Sequence, residues 1–99
     1  MKDQQQQKLD VHLSEEIAQG VYSNLAIITH SNAEFIVDFV AMMPGITKAN
    51  VRSRIVMTPQ NAKRLLNALA ENVKKFEEHN GLIKENIIEI PIIGNGASA

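Results

Sequence analysis

Along residues 21–58 apolar side chains recur at every second position, and from residue 59 the spacing lengthens to three and four. The first pattern belongs to half-buried strands, the second to an amphipathic helix. "VYSNLAIITH" (21–30), "EFIVDFVA" (34–41) and "VRSRIVMT" (51–58) therefore predict three strands. The polar "SNA" at 31–33 and the Pro44-Gly45 pair fall between them, and these are the residue types that tight turns require. Short turns join antiparallel neighbours, so the three form a meander. Upstream, Leu9, Val11 and Leu13 alternate with Asp10 and His12 and predict a short additional strand. "SEEIAQG" follows as a turn or a single helical turn closed by Gly20.

Thr58 followed by Pro59 has the form of a helix cap and first helical residue, and Asn80-Gly81 that of a helix end. Between them Ala62, Leu65, Leu66, Leu69, Val73 and Phe76 fall on one stripe, with Lys63, Asn67, Glu71, Lys74, Lys75 and Glu78 on the other side. The odd positions of the strands (Phe35, Val37 and Phe39 above all) are mostly apolar, so a register matching odd with odd builds one apolar face for this helix to cover. A three-residue turn centred on Asn32 gives that register, setting Phe35 opposite Thr29 and Val37 opposite Ile27. The expected fold is thus α+β: an antiparallel meander of three to four strands, covered on one face by a single long C-terminal helix. Residues 1–8, with four consecutive glutamines, read as a disordered lead, 9–83 as the single domain, and 84–99 as an extension whose isoleucines pack and whose end frays.

Asp38 interrupts the strand 34–41 between Ile36 and Val40. Arg52 and Arg54 leave the next strand on that same even-numbered face. The expectation is a cross-strand ion pair between Asp38 and one of these arginines, because a guanidinium can hold a carboxylate with two hydrogen bonds. Tyr22, Ala26, Ile28, Ile36, Val40 and Val56 share the even face in this reading. So apolar an outer face is expected to be hidden in a homodimer or higher homo-oligomer.

Composition narrows the chemistry. The chain has 99 residues and a formal net charge of -1, one small domain with no global basic field to draw it to nucleic acid. It has no cysteine, which removes disulfides, thiolate metal sites and cysteine nucleophiles and suits a reducing cytoplasm. "MKDQQQQKLD" has no apolar core of the signal-peptide kind, and no apolar run approaches the ~20 residues of a membrane span. His12, His30 and His79 are scattered without metal-ligand spacing, and His30 beside Glu34 is the one carboxylate pairing among them. No nucleophile elbow is present, and Glu34 and Asp38 lie ~13 Å apart along a strand, too far for shared acid-base work. An enzyme is not expected, nor a cofactor or metal.

The pieces "EEIAQGVYSN", "HSNAEFIVDF", the Pro-Gly pair and "VRSRIVMTPQNAKRLLNALAENVKKFEEHNGLI", in that order, resemble the bacterial and archaeal family known as domain of unknown function 3467. The resemblance covers residues 15–83, and Phe76 stands where the family leads one to expect a tyrosine. It implies the fold but no activity. The strand-meander-then-helix order is also similar to export chaperones of the SecB type, a likeness of topology alone.

The resulting functional expectation is a non-enzymatic, cytoplasmic protein-interaction module, homo-oligomeric and holdase- or adaptor-like. The alternative is a nucleic-acid-binding protein whose basic residues (Lys48, Arg52, Arg54, Lys63 and Arg64) combine across a dimer. With four aromatic residues in all, a base-stacking platform is hard to build.

Overall fold

A computed structural model describes residues 8–45 and 47–85. The elements are α1 (Glu15–Ala18), β1 (Leu25–His30), β2 (Phe35–Ala41), β3 (Asn50–Met57) and α2 (Pro59–Asn80). The three strands form one antiparallel sheet in the order β1-β2-β3, so the chain is α+β with the meander and C-terminal helix that its pattern predicts.

α1 is a single turn. Ser14 caps it by accepting a hydrogen bond from the Ile17 amide at 3.2 Å, and Glu15 and Glu16 lie at its positive end. The expected strand at 9–13 does not form: Leu9, Val11 and Leu13 are 85%, 83% and 64% exposed and carry no strand pairing. Alternation over five residues shows only that one side could be buried; a strand also needs an edge to pair with. Val21 and Tyr22 likewise precede β1 and stand exposed.

The first hairpin differs from the expected register by one residue. His30 pairs with Phe35, Ile28 with Val37 and Ala26 with Phe39, so even positions of β1 match odd positions of β2. Ser31 is the cause. Its hydroxyl accepts from the amides of Ala33 and Glu34, at 3.1 and 3.2 Å, while its own amide donates to the Glu34 carbonyl at 2.9 Å. These bonds draw Glu34 out of the strand and make a four-residue turn, where a serine hydroxyl takes over backbone bonding. A slip of one residue exchanges the faces of the whole strand. Ala26, Ile28 and His30 consequently share the face of Phe35, Val37 and Phe39, and Leu25, Ile27 and Thr29 share that of Asp38.

At its far end β1 is extended by a side chain. The Asn24 amide nitrogen donates to the Met42 carbonyl at 2.8 Å, and the Met42 amide donates to Asn24 Oδ1 at 2.7 Å. One carboxamide thereby makes both bonds that a paired strand residue would make.

In the second hairpin, Phe35 pairs with Met57, Val37 with Ile55 and Asp38 with Arg54. Beyond Phe39–Ser53 the ladder shifts, and Val40 pairs with Val51. Arg52 is the extra residue of this β-bulge. The bulge carries Val51, expected beside Ser53 and Ile55, onto the face of Asp38 and Val40.

α2 begins and ends where the sequence signals it. Thr58 Oγ1 accepts from the Asn61 amide at 3.1 Å, Pro59 occupies the first turn, and Gly81 follows Asn80 with a φ of 85°. The Gly81 amide donates to the Glu77 carbonyl at 2.9 Å, completing the last turn. A helix covering this face of the meander was expected; instead only the first half of α2 faces Phe35 and Val37, across an open cleft. Leu65, Leu66, Leu69 and Phe76 are 44%, 65%, 57% and 52% exposed, and among the described residues only Val37 and Val40 are buried. Those two side chains lie on opposite faces of β2, so neither face of the sheet is closed into a core within one chain.

Candidate interaction surface

Asp38 and Arg54 are direct neighbours on β2 and β3. Arg54 Nε donates to Asp38 Oδ1 at 2.7 Å and Nη2 to Oδ2 at 2.9 Å, a two-pronged pair. The carboxylate side chain is 13% exposed and the guanidinium 62%. The hydrogen bonds from Arg54 hold the Asp38 carboxyl below its ordinary range, partly offset by desolvation, and the same bonds raise the Arg54 pKa. The expected cross-strand pair is present, with Arg54 as the partner; Arg52 sits at the bulge. Two of the Arg54 donors are committed to a carboxylate, which makes this residue a register lock more than a free cation.

The six residues expected to form one oligomer face do not share a face. Ile36, Val40 and Val56 lie with Asp38, as expected. Ala26 and Ile28 lie on the opposite face, because of the Ser31 turn, and Tyr22 precedes β1. The Asp38 face gains Leu25, Ile27 and Val51 in exchange.

A second apolar feature is on the other side. A cleft of about 540 Å³ lies between the sheet and the first half of α2. Its sheet wall is Ile28, Phe35, Val37 and Met57, and its helix wall Pro59, Ala62, Lys63, Leu65, Leu66 and Leu69. His30 does not turn to Glu34 as a carboxylate pair; its ring stacks on Phe35, with centroids 5.3 Å apart and planes at 22°. Sequence reasoning supplied Ala62, Leu65, Leu66 and Leu69 of the helix wall but set Lys63 on the outward side, and it expected the wall to be pressed onto the sheet. It also missed Asn24, for which an amide at the mouth of a predicted strand was the one available signal.

Among the described residues no three His, Asp or Glu side chains are grouped to hold a metal ion, and no helix is long and apolar enough to cross a membrane. What the arrangement offers is apolar surface on one side of a sheet and along one helix, with a charge pair on the other side.

A three-stranded meander followed by a long helix whose apolar stripe is left half open defines a small α+β domain with an open apolar cleft in place of a closed core. The chain belongs to the family described as Protein of unknown function (DUF3467), which matches residues 1–85. No curated protein and no solved structure matches it, so the likeness to export chaperones rests on element order alone.

Proposed function

We propose that this chain is a non-enzymatic protein-interaction module that works as a homo-oligomer and holds apolar polypeptide segments, as a holdase or adaptor does. One observation carries the reading: Leu65, Leu66, Leu69, Val73 and Phe76 on α2 are all between 36% and 65% exposed beside an open apolar cleft. A soluble monomer rarely leaves so much contiguous apolar surface in water, and where it does the patch marks a contact site. Flexible methionines at the cleft wall and the β2 end, Met57 and Met42, suit surfaces of varied shape. The lack of cysteine suits work in a reducing cytoplasm.

The test is aggregation of unfolded clients followed by light scattering. Excess protein is expected to suppress scattering from several unrelated clients, insensitively to salt. No suppression at excess over any client contradicts the proposal. Retention on DNA that falls steeply with salt would replace it with the nucleic-acid reading.

A further inference from the structure

We infer that α2 pairs with α2 of a second copy of this chain, antiparallel about a two-fold axis beside Glu71, and that each helix closes the other copy's cleft. The inference rests on the homo-oligomer reading above and names its interface; a client then reaches the α2 stripe only by competing with the second copy. Ala62, Leu66, Leu69, Val73 and Phe76 follow one another at spacings of four, three, four and three residues. This is the spacing of a two-helix coiled-coil seam, and Leu65 widens it on the cleft side.

The chain itself faces only half of that seam. The cleft takes in α2 as far as Leu69; Val73 and Phe76 lie beyond it, 36% and 52% exposed. Positions equally distant from Glu71 complement each other in an antiparallel pair. Leu66 then meets Phe76 of the second copy and Leu69 meets its Val73, so the uncovered half of each helix crosses the cleft of the other.

Charge selects the direction. Lys63, Ala70 and Glu77 flank the seam on one side, and Leu65, Asn72 and His79 on the other. Antiparallel pairing sets like flanks together, which puts Lys63 against Glu77 of the second copy twice over and small Ala70 against itself. Parallel pairing sets unlike flanks together and gives neither charge an opposite partner. Glu77 Oε2 already accepts from the Ile83 amide at 3.0 Å, leaving Oε1 for the lysine. Area points the same way. A 22-residue helix presents a strip ~33 Å long. At a helix width of ~10 Å the strip covers ~330 Å², less than the ~800 Å² per partner of a stable interface, so the contact has to take in the cleft walls as well.

The experiment combines charge reversal with one distance. Sedimentation equilibrium on Lys63→Glu and on Glu77→Lys is expected to show dimers weakened about tenfold, because each substitution turns two attractions into repulsions. The double variant K63E/E77K is expected to return close to the parent, which also excludes misfolding as the cause. The chain has no cysteine, so Gln60→Cys takes a single spin label. Labels in the antiparallel dimer are expected ~33 Å or more apart, against roughly 10–15 Å in a parallel one. A dimer that ignores both reversals, or one with labels under ~20 Å apart, overturns the antiparallel pair and leaves the homo-oligomer reading standing. A monomer at every concentration overturns both.

Discussion

Asp38 and Arg54 face each other across the β2–β3 ladder, joined by hydrogen bonds of 2.7 and 2.9 Å, one residue pair before the bulge that Arg52 creates. Downstream of the bulge the pairing shifts, so the ion pair marks the last stretch of regular register. Its role here is to hold β3 in place. Asp38→Ala and Arg54→Ala are each expected to lower the melting temperature, and together by less than the sum of the two. Strict additivity in that cycle contradicts the role.

The pair also gives a pH dependence of definite sign. Asp38 has an ordinary value of 3.8, and Arg54 lowers it in the folded chain. The unfolded chain therefore binds a proton first as pH falls. The contribution is fully present above 3.8 and is lost as pH drops through the lowered value. Asp38→Asn is expected to flatten the stability profile in that acid window and to lower stability at neutral pH. Urea titrations between pH 2 and pH 7 read both effects.

Asn24 substitutes a side chain for a strand residue, with two bonds of 2.7 and 2.8 Å to the Met42 backbone. Asn24→Ala leaves that backbone to water at an exposed edge, and the expected cost is about 1–2 kcal/mol in denaturant unfolding. Asn24→Asp keeps the acceptor and loses the donor, so it is expected to fall between the two. A loss no larger than that of an ordinary surface substitution contradicts the bridging role.

Gly81 ends α2 at a φ of 85°, and a methyl group built on it meets nothing within 4 Å. Gly81→Ala therefore tests backbone strain alone. The expected loss is about 1 kcal/mol, measured by thermal unfolding, with the oligomeric state unchanged.

How much of this was legible beforehand differs by element. The helix was legible to its caps, because Thr58, Pro59 and Gly81 act locally and their chemistry does not depend on tertiary context. The ion pair was legible because opposite charges on adjacent strands have few other places to go. The register of β1 was not. It depended on whether Glu34 belonged to strand or turn, and Ser31 decided this through bonds no periodicity records. The bulge at Arg52 was invisible for a related reason: the alternation around it is equally regular on either register. The alternating Leu9, Val11 and Leu13 had the pattern of a strand, but alternation does not say whether a segment reaches the outer edge of β1 or β3, and this one pairs with neither. Most consequential was the open cleft. A stripe of leucines announces that it will be buried and does not say against which chain.

The central claim is that one copy of this chain does not complete its own core. Urea unfolding of the full chain, repeated across a hundredfold range of protein concentration, tests it most directly. The account predicts a midpoint that climbs with concentration, corresponding to ~2.7 kcal/mol over that range for a dimer that unfolds as it dissociates. A midpoint unchanged from the most dilute sample to the most concentrated would contradict it.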